Sequence, residues 1–233
     1  MASLYLIRHG QASFMQENYD KLSPLGIEQS KVLGKYLQAQ SYNFDACWTG
    51  LLERHKGTYE ASKEFFTGLP DAVAHEGLNE HQAAEIHYKH LPKFLEEEPE
   101  LKEMMESKGH KDPLVRKGLL KLFFKGTKLW INGDIHVEGY EKFVDFKARV
   151  AKVYEYLLEN MEGKKNAIAF ASGGTIGMLM GLMLDLRDEK VFEINWQVQN
   201  TSITEFSYSH GKFYLKGFNH IPHLQDEKLI TYV

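Results

Sequence analysis

The run Ala167–Leu184, AIAFASGGTIGMLMGLML, carries no charged residue, and SGGT interrupts it near the middle. Without the interruption its length would approach that of a membrane span. The serine and two glycines instead divide it into a short apolar strand, a tight turn and a helix with no polar face. A helix that is apolar all round must be covered on every side. This unit is therefore expected inside a folded core and not in a bilayer.

The rest of the chain alternates strand and helix signals. Ser3–Ile7 predicts a first strand. Ser23-Pro24 has the form of an N-cap followed by proline at the first helical position, opening a helix to about Ala39 with Val32, Leu33, Tyr36 and Leu37 inward. Phe44–Trp48 predicts a second strand, Leu51–Phe66 a second helix and Ala72–His75 a short third strand. A helix is expected over Tyr140–Met161, a fourth strand over Asn166–Ala171, and a hairpin from Ser202–Tyr208 and Lys212–Phe218 around SHG. The alternation implies an α/β protein with a mainly parallel sheet and an antiparallel edge. With 233 residues the chain fits one domain, 1–233. The charged, amphipathic segment about 86–128, with EEEPE and SKGHKDP, is expected as a mostly helical insertion within it.

The formal net charge of -4 gives no electrostatic footprint for nucleic acid or an anionic membrane. One cysteine, Cys47 in FDACW, leaves no internal disulfide and suits a reducing cytoplasm. It is expected to be a buried, inert thiol. No basic segment precedes a long apolar stretch near the N-terminus, so no signal peptide is expected.

In open parallel sheets ligands bind beyond the carboxyl ends of strands. The first strand delivers Arg8-His9-Gly10 there, the second Thr49 and then Arg54, and the fourth Ser172-Gly173-Gly174-Thr175 at a helix start. Two guanidinium groups and a glycine-rich helix N-terminus match the oxygens of a phosphate. A neutral imidazole among them is suited to attack phosphorus. Gly10 is expected to let backbone approach the phosphate closely. SGGTIG lacks the dinucleotide fingerprint, and FASGG lacks the first glycine of a nucleophile elbow. His87-x-x-His90 has no accompanying ligand set, so no metal is expected.

The ordered blocks LYLIRHGQ, LSPLGIEQSKVLGKYL, TGLLERHKGT, GLNE and AIAFASGGTI resemble the histidine phosphatase superfamily, the phosphoglycerate-mutase-like phosphatases. The resemblance implies a three-layer α/β/α fold and phosphoryl transfer needing neither metal nor cofactor. It implies His9 as the phosphate-accepting nucleophile and Arg8 and Arg54 as phosphate ligands. Glu80 matches the residue that protonates the leaving oxygen and later activates water; nothing but the resemblance selects it. Ser172 and Gly173 fall in the phosphate-binding fifth block. There the family usually has a second histidine that contacts the phosphate, and this chain has Ser172.

Losing one charged contact is expected to remove about 2–4 kcal/mol of transition-state stabilisation. His55, where the family block commonly has Ala or Thr, and His81 adjoin site residues and are expected to be ordinary neighbours. The leading expectation is a phosphatase for a small phosphorylated substrate. A phosphate-ester-binding or regulatory protein with weakened catalysis is the alternative, and a phosphoglycerate mutase ranks below both.

Overall fold

A computed structural model describes residues 2–13 and 20–232. Among these, one sheet holds β1 (Ala2–Arg8), β2 (Ala46–Thr49), β3 (Ala72–Ala74), β4 (Asn166–Ala171), β5 (Ile203–Ser209) and β6 (Lys212–His220). The helices are α1 (Pro24–Ala39), α2 (Glu53–Lys63), α3 (Ala83–Glu96), α4 (Pro99–Lys108), α5 (Pro113–Asn132), α6 (Phe143–Asn160), α7 (Gly173–Leu184) and α8 (Asp188–Asn195).

The strand order is β3-β2-β4-β1-β5-β6. The first four are mutually parallel; the hairpin β5–β6 closes one edge, with β5 antiparallel to β1. Every residue from Ala2 to Ile7 is buried, as a central strand covered on both faces requires. One face carries Tyr5, Ile7, Cys47, Ile168 and Phe170 against Leu33 and Leu37 of α1. The other meets α6, where Trp48 packs edge-on against Tyr156, and α7, which lies against β1 and β6. This is the expected three-layer α/β/α arrangement.

Local chemistry explains the elements. Ser23 accepts the Gly26 N–H and Pro24 opens α1, as the sequence predicts. Two helices approach closely at Gly34, where a Cβ would stand 2.3 Å from the Ser62 carbonyl oxygen of α2. Of the residues expected inward on α1, Leu33 and Leu37 are fully buried, whereas Val32 and Tyr36 are half-buried. The apolar helix α7 is covered by the sheet and by α8, whose Val191 sits where a Cβ on Gly181 would fall. No signal in the sequence marks α8. Its two buried residues, Val191 and Phe192, are adjacent and too few to show a helical period.

The chain divides into two compact units, 1–80 with 149–233, and 81–148. The first contains the whole sheet. The second contains α3, α4 and α5 and so holds the helical segment expected over 86–128. Its core joins Phe94, Leu95 and Leu122, bordered by Leu91, Leu101, Met105 and Leu129. Asp112 caps α5 by accepting the Leu114 and Val115 N–H groups, and left-handed Gly133 ends it. No helix among the described residues is long and apolar enough to cross a membrane.

Candidate active site

The register of β1 and β4 sets the site. Arg8 is paired with Ala171, so His9 and Ser172 leave adjacent parallel strands side by side. β2 ends level with them, Thr49 opposite Phe170. Antiparallel β5 begins at the same end, Ile203 opposite Ile7. From this end the chain leaves β1 for α1 on one face and β4 for α7 on the other. Diverging connections from neighbouring strands open a crevice at the carboxyl end.

His9 is held rigidly. Its N–H donates to the Ala171 carbonyl at 2.9 Å, and its own carbonyl accepts the Asn200 side-chain amide at 3.0 Å. The following residue, Gly10, donates its N–H to Thr58 Oγ1 at 2.9 Å. The imidazole Nδ1 lies 2.7 Å from the Gly10 carbonyl, which can only accept, so Nδ1 carries the proton. Nε2 is then a bare lone pair, and Arg54 Nε–H donates to it at 3.2 Å. Burial, then Arg54, Arg8 and His55, push the His9 imidazole well below its ordinary pKa of 6.5. The ring is neutral at pH 7, as a nucleophile must be.

The cations are oriented from behind. Arg54 projects from the first turn of α2 and is 8% exposed. One Asp20 carboxylate oxygen accepts from the Arg54 guanidinium at 2.8 Å, and the other accepts the Glu53 N–H at 2.8 Å. Arg8 donates to the Val198 carbonyl. Gly173 lies beside it, and a Cβ there would stand 3.4 Å from Arg8 Nε and 2.8 Å from Asn195 Oδ1.

Glu80 accepts the Gly174 N–H at 3.2 Å, so its carboxylate sits on the positive end of α7. Arg149 pins the loop that carries it, donating to the carbonyls of Glu76, Asn79 and Glu80 at 2.9, 3.1 and 3.3 Å. Asn79 adds two ties: Oδ1 accepts the Leu51 N–H at 2.7 Å, and its carbonyl accepts Thr175 Oγ1–H at 2.5 Å. Arg8, His9, Arg54, Glu80, Ser172 and Gly173 thus converge on one end of the sheet. Asp20, Thr58, Asn79, Arg149 and Asn200 support them and carry no mark in the sequence.

One sequence expectation changes. His55 is not an ordinary neighbour: its Nε2 lies 2.6 Å from Ser172 Oγ, and its ring centroid is 5.5 Å from that of His9. His81 packs in the second unit against Trp130 and Phe146. Gly10 is also required by packing. A Cβ there would stand 2.4 Å from the Gly26 carbonyl oxygen at the start of α1.

The profile of the histidine phosphatase superfamily (branch 1) matches residues 4–221. The 2,3-bisphosphoglycerate-dependent phosphoglycerate mutase of Treponema denticola is 24% identical, the match covering 82% of each chain. Two solved structures share the fold. One is a phosphoserine phosphatase from Entamoeba histolytica in complex with 3-phosphoglyceric acid, at TM-score 0.63 and 20% identity over 96% of this chain and 100% of that one. The other is the alpha-ribazole phosphatase from Shigella flexneri, at TM-score 0.63 and 19% identity over 94% and 96%.

Proposed function

Because this chain belongs to the histidine phosphatase superfamily, we propose that it hydrolyses a small phosphomonoester through a phosphohistidine on His9, with no metal or cofactor in the reaction. The observation that carries this reading is the state of His9. Its neutral ring is locked with Nδ1–H on Gly10, and its Nε2 lone pair faces the Arg54 guanidinium.

The substrate phosphate takes the position of Arg54's present contact with Nε2, and Arg8 and Arg54 neutralise its oxygens. His9 Nε2 attacks phosphorus in line as the ester P–O bond breaks. Protonated Glu80 gives its proton to the leaving oxygen. Water then attacks the phosphohistidine, Glu80 takes the water's proton, and the P–N bond breaks to release phosphate. Backbone N–H groups at the start of α7, beside Ser172 and Gly173, supply fixed positive charge to the equatorial oxygens.

The substrate class is a small phosphorylated metabolite handled in a reducing cytoplasm. The likeness to a phosphatase holding 3-phosphoglyceric acid supports the class, not the compound. A second reading, phosphate-ester binding with little turnover, rests on Ser172 where the family carries histidine.

An aryl phosphate decides between them. The native chain is expected to hydrolyse it and to yield, on quenching, an acid-labile and base-stable phosphoprotein, while His9→Ala does neither. Micromolar ester binding by calorimetry without turnover supports the binding reading. Neither turnover nor binding overturns both. Conversion of 3- to 2-phosphoglycerate at a rate above hydrolysis identifies a mutase instead.

A further inference from the structure

Two departures of this chain from the family pattern, serine at 172 and histidine at 55, are far apart in the sequence and form one contact in the structure. His55 Nε2 and Ser172 Oγ are 2.6 Å apart, and both side chains are fully buried. We propose that His55 is a positioning residue for phosphoryl transfer. Its Nε2–H donates to Ser172 Oγ, which leaves the Ser172 hydroxyl proton to be donated to a phosphate oxygen. Imidazole and hydroxyl together then supply the contact that the family draws from a single histidine. This inference rests on the phosphatase reading above.

The direction of the hydrogen bond follows from the surroundings. His55 is enclosed and lies next to Arg54, and both influences keep its ring neutral, with a single N–H. Its Nδ1 has no hydrogen-bond partner among the described residues and lies against the backbone of Gly50, where a Cβ would stand 2.0 Å from it. A buried N–H aimed at no acceptor is disfavoured more than an unused lone pair. The proton therefore belongs on Nε2, the nitrogen facing Ser172. A serine hydroxyl has one proton and two lone pairs, so a Ser172 that accepts from His55 keeps its proton for a ligand.

The same geometry argues against an acyl-transfer dyad. There the histidine takes the serine proton while a carboxylate holds its other nitrogen. Among the described residues no carboxylate meets His55 Nδ1. Gly50 also becomes intelligible, because any side chain at that position would evict the imidazole.

The test uses the full-length chain with an aryl phosphate, reading kcat, KM and the Kd for inorganic phosphate. Ser172→Ala is expected to lower kcat/KM by about a hundredfold, as for loss of one oxyanion donor. His55→Ala is expected to lower it by roughly tenfold or more, and the double alanine variant to be no worse than Ser172→Ala, since the two residues act as one unit. The exchange variant His55→Ala with Ser172→His should recover most of the lost activity, because the imidazole returns from the end of β4 into the space that His55 of α2 vacates. Ser172→His alone should not, with His55 still in place.

Unchanged kcat/KM in His55→Ala, or multiplicative losses in the double alanine variant, overturns the proposal. Nitrogen-15 NMR of the native histidines tests it without any variant: a proton on His55 Nε2 is expected, and a proton on Nδ1 overturns it. If the native chain turns over no aryl phosphate, the phosphatase reading fails by itself. His55 is then judged by the same ratios in phosphate Kd.

Discussion

Replacing Gly10 by alanine would set a methyl group 2.4 Å from the Gly26 carbonyl oxygen and 2.9 Å from Ser30 Oγ. Carbon and oxygen do not approach closer than about 3.0 Å, so the chain after β1 and the first turn of α1 must separate by at least 0.6 Å. Neither side yields easily. The Gly26 carbonyl accepts Ser30 Oγ–H at 2.7 Å, and Gly10 N–H is held by Thr58 Oγ1 at 2.9 Å. Forcing a methyl into such packing costs about 1–3 kcal/mol. At the upper half of that range a chain of this size loses about 4–12 °C in Tm.

Gly10 also carries the carbonyl that fixes the His9 tautomer, so the displacement reaches the proposed nucleophile. A drop in kcat of roughly tenfold is expected, short of the hundredfold that about 1 Å of misplacement causes. Scanning calorimetry and aryl phosphate kinetics read the two effects. Gly26→Ala is the internal control. Its Cβ would stand 2.1 Å from the Gln11 carbonyl oxygen, on the same backbone seam, and it should show a matching loss of Tm. If Gly10→Ala keeps its Tm yet loses phosphate affinity, the glycine serves the ligand and the packing explanation is wrong.

Asp20→Asn retains an acceptor for the Glu53 N–H but removes the charge that orients Arg54. With the Asp20 side chain 31% exposed, the expected effect is about 1 kcal/mol, read as a roughly fivefold rise in KM with Tm nearly constant; an unaltered KM refutes the orienting role. Stability should fall on mild acidification. Burial pushes His87 and His223 down to about 4, and holds His9 and His55 well below their ordinary value. The unfolded chain binds protons at these rings as pH falls below about 6.5 while the folded chain does not. Stability is therefore full above that pH and declines below it, by up to about 1.4 kcal/mol per pH unit for each ring. Urea unfolding at pH 7, 6 and 5 measures the slope, and a flat profile contradicts the burial of these histidines.

Much of the frame was legible because its signals are local. Ser23-Pro24 is an N-cap whose chemistry lies within four residues, and α1 runs from Pro24 to Ala39 as its pattern predicts. β4 spans Asn166–Ala171 and α7 ends at Leu184, both set by uncharged composition and the glycine pair between them. α8 and the half-burial of Val32 and Tyr36 were not legible, since they depend on which surfaces neighbouring elements cover.

The site divides in the same way. Arg8-His9 and Ser172-Gly173 stand at the ends of apolar runs, and the amino-acid order alone places each pair at the carboxyl end of a strand. Arg54 follows from its distance beyond β2, and Glu80 from the family resemblance only. What the order of residues could not determine is contact between side chains remote along the chain. Asp20 meets Arg54 across 34 positions, and Asn200 reaches His9 across 191. His55 and Ser172 are 117 residues apart, and each looked like an isolated departure from the family pattern. Strand register brings their backbones level, and close packing at Gly50 turns the imidazole onto the hydroxyl. Periodicity and capping act over a few residues and are written in the sequence; the hydrogen bond between His55 and Ser172 exists only once the sheet has assembled.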